Sequence, residues 1–158
     1  MDSTEREFAK LLISIGCLQV SPSNPFTYAS GLKGPIYCDN RKVLSHIRER
    51  GEVAKGFIDL IEKYNLEYNQ LAGLATGGIA HAAIIAERLE KGMVYIRGKK
   101  KGHGKQSQIE GDIKKGEKIL LIEDLVNQGS SLIEALSGVK EAGLEVDTCL
   151  SIVDYQMG

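Results

Sequence analysis

The sequence predicts an α/β fold on a parallel sheet, because short apolar runs alternate with helical patterns from residue 71 onward. LAGLAT, MVYIR, KILLIED and EVDTCLSIVD are typical of strands, and uninterrupted apolar strands indicate a sheet covered on both faces. IAHAAIIAERLEK, followed by Gly92, and SSLIEALSGVKEAG are typical of helices. We expect Leu132, Leu136 and Val139 to form the buried stripe of the second helix, with Gly143 as its C-cap. Ligands of such sheets bind beyond the carboxyl ends of the strands.

The first 65 residues predict two more helices around a loop. A capping box over Thr4 to Glu7 precedes apolar residues at helical spacing, and Gly16 is expected to stop that helix. SPSNPFTYASGLKGP is rich in turn formers, and a short strand is predicted over residues 36–40. A second helix, expected to end near Asn65, carries one apolar face: Val53, Phe57, Leu60, Ile61 and Tyr64.

Composition bounds the class of protein. The 158 residues, 42% apolar and 26% charged, fit one soluble domain spanning residues 1–158. A net charge of −1 gives no global indication of a nucleic-acid or membrane partner. The three cysteines lack metal-ligand spacing and are expected to be small buried side chains in a reducing compartment. MDSTEREF lacks an apolar signal core, so we expect a cytoplasmic protein.

The segment EDLVNQGSS combines two adjacent carboxylates with a loop that opens a helix. KILLIED delivers Glu123 and Asp124 to the sheet edge, and a turn containing Gly129 and two serines follows. The free N–H groups and dipole of a helix start favour a phosphate, and a glycine lets the backbone approach it closely. Carboxylates this near a phosphate suit a ligand with sugar hydroxyls or a divalent cation. Signal-receiver domains and metal-dependent hydrolases also carry two acids after a buried strand, and the serines alone would also serve as helix caps.

KILLIEDLVNQGSS resembles the phosphoribosyl-pyrophosphate (PRPP) motif of type I phosphoribosyltransferases. The resemblance implies that Glu123 and Asp124 contact the ribose hydroxyls of PRPP, and that Mg²⁺ is held through PRPP near these acids rather than by direct protein ligands. The loop implied to wrap the 5′-phosphate consists of Asn127, Gln128, Gly129, Ser130 and Ser131. The family usually has two threonines where this chain has Asn127 and Gln128.

Three further segments resemble orotate phosphoribosyltransferases. PFTYASGLKGPIYCDNRKVLS is similar to their amino-terminal hood (about residues 17–43), LAGLATGGIAHAAIIA to their glycine turn, and VYIRGKKKGHGKQSQIEG to their mobile catalytic loop (residues 97–112). The resemblance implies a Rossmann-like core with this hood, and a homodimer to which Arg97 is donated across the interface. PRPP and orotate are the implied substrates, and orotidine 5′-monophosphate and pyrophosphate the products. The further implied site residues are Lys100, Lys101, His103, Gly77, Gly78, Lys33 and Tyr37.

The basic loop also has a physical rationale. Displacement of pyrophosphate from C1 of ribose puts negative charge on the leaving group, so cations that close over it stabilise the transition state selectively. A glycine-rich, charged loop is suited to open and close with ligand. The alternative to a catalytic role is a basic loop that is simply solvated. His46 and His81 have no comparable pattern, and His81, at a helix start, is expected to be structural.

Several positions depart from the family pattern. Lysines are usual at Ala29 and Gly98, an arginine at Tyr155, and the family chain continues for several dozen residues beyond Gly158, which predicts a missing late strand and helix. Two alternatives therefore stay open: a phosphoribosyltransferase for another base, and a catalytically weak truncated paralogue that binds PRPP, a nucleotide or a partner protein. The hypothesis of a dinucleotide-binding dehydrogenase is rejected, because the glycines around LAGLAT lack the Gly-x-Gly-x-x-Gly spacing.

Overall fold

A computed structural model of the chain describes residues 3–28, 31–98 and 108–155. It divides into two compact units, Met1–Val53 and Ala54–Gly158. In the described part of the chain, every helix is too short or too polar to cross a membrane.

The amino-terminal unit combines one helix with two small antiparallel ribbons. Helix α1 (Ser3–Ser14) ends before Gly16, whose φ of +69° is the left-handed stop that the sequence predicts. Strand β1 (Leu18–Val20) pairs with β4 (Ile36–Cys38), and β2 (Phe26–Thr27) pairs with β3 (Lys33–Gly34). The strand predicted over residues 36–40 ends early, because Asp39 caps a 3-10 helix, Asn40–Ser45, by accepting a hydrogen bond from the Arg41 N–H.

Helix α2 (Ile47–Lys63) contains the boundary between the two units. Val53, Phe57 and Ile61 are buried, as their helical spacing predicts. The prediction was wrong for Tyr64, which is 61% exposed. The helix stops one residue earlier, and the positive φ of Asn65 turns the chain away.

The second unit is a five-stranded sheet with the order β7-β6-β5-β8-β9. All neighbouring strands are parallel except β7, which pairs with β6 in the antiparallel sense. The strands are β5 (Gln70–Leu74), β6 (Gly92–Ile96), β7 (Ile109–Glu110), β8 (Ile119–Val126) and β9 (Cys149–Asp154). Helix α3 (Gly77–Leu89) connects β5 to β6, and helix α4 (Ser130–Glu141) connects β8 to β9. The predicted α/β class with a parallel sheet is confirmed.

The helices cover the two faces of this sheet. Ala135 and Val139 of α4 pack into one core with the strand residues Ala72, Val94 and Leu121. On the opposite face, Gly73 of β5 lies against the first turn of α3: a Cβ on Gly73 would stand 2.7 Å from Ile79 Cα. Coverage of both faces explains why the strands read as continuous apolar runs.

Four predicted details of this unit were wrong. Helix α3 begins at Gly77, two residues before the predicted start at Ile79, and its C-cap is Glu90 in the left-handed conformation; Gly92 then starts β6. The stretch after β6, predicted as part of the loop of residues 97–112, contains β7. The last strand begins at Cys149 rather than at Glu145. Leu136 is 38% exposed, because Ala135 and Val139 form the contact with the sheet.

The order of the strands places a crevice between β5 and β8. From the carboxyl end of β5 the chain passes through α3 to β6 on one side, and from β8 it passes through α4 to β9 on the other. Where the connections that follow two neighbouring strands run in opposite directions, a crevice opens at the carboxyl ends of these strands, and ligands of α/β proteins bind there.

Candidate active site

Glu123 and Asp124 lie on the part of β8 that extends past β5. The β5–β8 ladder ends at the pair Gly73 and Ile122, whereas the pairing with β9 continues to Val126. The sequence had placed the end of the strand at the two acids, and this was wrong, since β9 supplies partners for two more residues, Leu125 and Val126. The acids therefore lie at the edge of the crevice, and both are still part of strand β8.

The two carboxyl groups are closely coupled. Glu123 is 7% exposed and Asp124 is half-buried, and the Asp124 N–H donates a hydrogen bond of 2.9 Å to Glu123 Oε1. Burial, reinforced by the neighbouring Asp124 carboxyl, raises the pKa of Glu123 to about 8. Glu123 therefore keeps its proton at neutral pH in the unliganded chain and can donate a hydrogen bond.

Glycines let the start of α3 approach these acids. A Cβ on Gly77 would overlap the carboxyl group of Asp124, and one on Gly78 would overlap the carbonyl oxygen of Ile122. Thr76 precedes the helix without a side-chain capping bond. The first N–H groups of α3 thus lie beside the carboxylates, where the positive end of the helix dipole favours negative charge.

The loop after β8 forms a pocket at the start of α4. Gly129 has a φ of +73° and precedes α4 without a side-chain cap, so neither serine acts as an N-cap. The first turn of α4 closes with a bond of 2.9 Å from the Ile133 N–H to the Gly129 carbonyl. The pocket is lined by Glu123, Leu125, Val126, Asn127, Gln128, Gly129, Ser130, Ser131 and Leu132. Uncapped N–H groups, amides and hydroxyls make this pocket suitable for a phosphate.

The two ends of the basic segment are tied together. Arg97 donates its N–H to the Gln108 carbonyl at 2.8 Å, and Gln108 Nε2 donates to the Arg97 carbonyl at 3.2 Å. The Arg97 guanidinium forms an ion pair of 3.1 Å with Glu110 of the same chain. Gln108, which sequence reasoning missed, is 6% exposed and packs against Gly138 of α4, where a Cβ would stand 2.6 Å from its Oε1. An isolated glutamine carries no periodic signal that would reveal this role.

The remaining predicted site residues belong to the amino-terminal unit or fall outside the described residues. Lys100, Lys101 and His103 fall outside the described residues, as does Ala29. Lys33 is exposed on β3, and the ring of Tyr37 on β4 lies 5.5 Å from that of Phe26; both belong to the amino-terminal unit. Their roles stay predictions.

Tyr155 follows β9 and continues its alignment with β8. Its N–H donates a hydrogen bond of 3.0 Å to the Val126 carbonyl. The position where the family usually has arginine is therefore at the same edge of the sheet as the phosphate pocket.

The acids fit a magnesium ion that is carried mainly by its ligand. Over residues 3–28, 31–98 and 108–155, no group of three or more His, Cys, Asp or Glu side chains could hold a metal. Glu123 and Asp124 supply two carboxyls, and Mg²⁺ commonly takes one or two carboxylates together with phosphate oxygens and water.

The cysteines add no nucleophile. Cys17 and Cys38 are buried, Cys149 is half-buried, and all three are free thiols. Burial, with a smaller effect of the Glu123 charge, raises the pKa of Cys149 to about 12, so the thiol stays protonated.

Comparisons with known proteins agree with this geometry. Residues 43–156 match the family model described as "Phosphoribosyl transferase domain". The chain is 45% identical over 151 residues to the orotate phosphoribosyltransferase of Coxiella burnetii, spanning 96% of this chain and 72% of that protein. It is 44% identical over 153 residues to that of Bacillus mycoides, spanning 97% and 73%. The crystal structure of orotate phosphoribosyltransferase from Aeropyrum pernix superposes with a TM-score of 0.83 at 30% identity, over 96% of this chain and 83% of that one. With its two acids, glycine turn and phosphate pocket at one sheet edge, this chain belongs to the phosphoribosyltransferase family, among the orotate phosphoribosyltransferases.

Proposed function

We propose that the chain transfers the 5-phosphoribosyl group of PRPP to orotate, giving orotidine 5′-monophosphate and pyrophosphate. The observation that carries the proposal is the meeting of Glu123 and Asp124 with an uncapped helix start at the open edge of the sheet. That edge offers carboxyl groups for sugar hydroxyls and free helix N–H groups for one phosphate, the two kinds of group that a sugar phosphate presents.

The proposed roles follow from the chemistry of each group. Glu123 and Asp124 bind the ribose hydroxyls, and the pocket of residues 127–131 binds the 5′-phosphate. In the reaction the C1–O bond to pyrophosphate breaks with its electron pair leaving on pyrophosphate, while a ring nitrogen of orotate supplies the pair for the new C1–N bond. That nitrogen gives up its proton, which the departing pyrophosphate can accept. The backbone at Gly77 and Gly78 faces the leaving group, as the family resemblance implies.

Cations complete the proposed site. Mg²⁺, bound mainly through PRPP near the two acids, would neutralise the growing charge of the pyrophosphate. Lys100, Lys101 and His103 are proposed to add positive charge at the same place. For Arg97 to serve a partner subunit in the proposed homodimer, its guanidinium must exchange Glu110 for the pyrophosphate. The catalytic loop of residues 97–112, the hood of residues 17–43 and the cytoplasmic location stay predictions.

Two narrower alternatives rest on the departures from the family pattern. With Tyr155 at the sheet edge in place of an arginine, a neutral base is the second candidate acceptor. A weak paralogue would bind PRPP without turnover. A panel of bases assayed with PRPP, beside calorimetry with PRPP alone, separates both from the main proposal.

The decisive assay follows orotate consumption with the purified chain, PRPP and Mg²⁺, omitting each component in turn. We expect product only with all three. Asp124→Asn should lower kcat/KM by about 100-fold, because an amide oxygen accepts weaker hydrogen bonds than a carboxylate and therefore stabilises the transition state less. Asp59→Asn is the matched control, since Asp59 is an exposed carboxylate on α2 paired only with Lys55 in the described contacts. Product without orotate dependence, or equal activity of Asp124→Asn and Asp59→Asn, would overturn the assignment.

A further inference from the structure

His81 is a buried polar residue to which the proposed reaction assigns no role. It lies on α3, is 2% exposed, and its Nε2 atom has no hydrogen-bond partner among the described residues. A buried, unsatisfied polar atom destabilises the protein that contains it, so an isolated one calls for an explanation. Its position at a helix start had suggested only a structural role.

The geometry of α3 directs this side chain toward the acids. His81 follows Gly77 by four residues and Gly78 by three, so all three share one helix face. Gly77 lies against the Asp124 carboxyl and Gly78 against the Ile122 carbonyl, which shows that this face packs on the end of β8. Long helical side chains lie over the turn that precedes them, and for His81 that turn is the one in contact with Asp124.

The protonation of His81 is consistent with this placement. Burial lowers the pKa of His81, and the nearby Asp124 opposes this only in part. The imidazole is therefore neutral at pH 7 and offers one N–H donor and one acceptor. A neutral donor next to a carboxylate orients it without adding a second charge to the site.

Resting on the proposed function, we propose that His81 is a positioning residue whose Nε2 holds the Asp124 carboxyl group in place when the ribose phosphate binds. In the unliganded chain the Asp124 carboxyl group interacts with that of Glu123, in addition to the hydrogen bond that the Asp124 N–H donates to Glu123 Oε1. Ribose hydroxyls that engage Glu123 loosen this coupling, and the imidazole beneath Asp124 then becomes its fixed neighbour. A carboxylate held by a second side chain keeps the orientation that the bound sugar requires.

Three variants test this role. His81→Leu removes the polar atoms at similar size, His81→Gln retains an amide near the position of Nε2, and Ile85→Val alters the next buried turn of α3 without touching the acids. By calorimetry with PRPP and Mg²⁺, we expect His81→Leu to raise the Kd for PRPP about 10-fold, the range of one hydrogen bond to a charged group. The Kd of His81→Gln for PRPP should stay within about 3-fold of the wild-type value, and the Kd of Ile85→Val should equal the wild-type value. The melting temperature of His81→Leu should equal or exceed that of wild type, because the unsatisfied atom is gone.

A structural role gives the opposite pattern. If His81→Leu melts lower but binds PRPP as wild type does, or if His81→Gln binds as poorly as His81→Leu, the proposal is overturned. Nitrogen-15 NMR of the three histidines gives an independent readout in the wild-type chain, with His81 assigned from the His81→Gln spectrum. The His81 ring signals should shift on saturation with PRPP and Mg²⁺, and unchanged signals would refute the contact.

The two proposals fail differently. A wild-type chain that binds no PRPP removes the proposed function and the role of His81 together. A wild-type chain that binds and converts PRPP, with a His81→Leu variant that does the same at equal KM, removes only the role of His81.

Discussion

Gly77→Ala should separate activity from stability at the edge of the sheet. The added methyl would occupy the place of the Asp124 carboxyl group. Non-bonded carbon atoms rest at about 3.5–4.0 Å, so the carboxyl must move by on the order of 1 Å to clear it. A displacement of about 1 Å in a positioned group can lower the rate of catalysis by about 100-fold.

The fold should tolerate the same change. Gly77 is the first residue of α3 and its φ is not positive, so alanine fits the backbone and favours the helix by at most about 1 kcal/mol. The atom that must yield is the end of a side chain, which can rotate. We therefore expect kcat/KM for orotate and PRPP to fall about 100-fold while the melting temperature stays within about 3 °C of wild type.

The measurement pairs steady-state kinetics with a thermal scan of Gly77→Ala and Asp124→Asn. Both variants should lose comparable activity if the carboxyl position is what matters. Retention of more than a third of wild-type kcat/KM by a folded Gly77→Ala chain would refute the reasoning, since Asp124 would then act equally well from a displaced position.

Two further predictions concern stability. Gly78→Ala places its methyl on the backbone carbonyl of Ile122, which cannot rotate away, so we expect a loss of about 1–3 kcal/mol in the free energy of unfolding by denaturant titration; a stability equal to that of Gly77→Ala would contradict the close packing. Glu123→Gln tests the raised pKa: the native chain keeps a proton that the unfolded chain loses above about pH 4.5, so wild-type stability should fall as pH rises from about 4.5 through about 8. The full shift corresponds to an upper bound of about 5 kcal/mol, and we expect a loss of at least about 1 kcal/mol over this pH range. The melting temperature of Glu123→Gln relative to wild type should accordingly rise between pH 5 and pH 8, and a difference independent of pH would show that Glu123 titrates normally.

The sequence was sufficient for the parts of the fold that local patterns determine. KILLIEDLVNQGSS predicts a buried strand, two acids and a helix start, and these are β8 and α4. Gly143, predicted as the C-cap, follows the actual C-cap Ala142 and takes the left-handed conformation, with a φ of +71°. Each of these features depends on residues adjacent in the chain, so its signal is complete within the motif.

The errors concern contacts with distant residues. The end of β8 depends on pairing with β9, some 28 residues later, and the exposure of Leu136 depends on which face of α4 meets the sheet. Strand β7 has only two residues and owes its existence to Tyr95 and Ile96 across the ladder. The elevated pKa of Glu123 could not be read from the adjacent acids, because burial is its main cause.

The two hydrogen bonds between Arg97 and Gln108 reduce the conformational entropy of the chain between these residues. Bringing the ends of a chain segment together normally reduces the number of states the segment can adopt, and this opposes any ordered arrangement of it. Here two backbone-directed hydrogen bonds and the surface of Gly138 already fix both ends of the intervening stretch. Arg97 and Gln108 are therefore held next to each other by the folded chain itself, so the entropy lost in bringing these two residues together is a cost of folding and not of ligand binding.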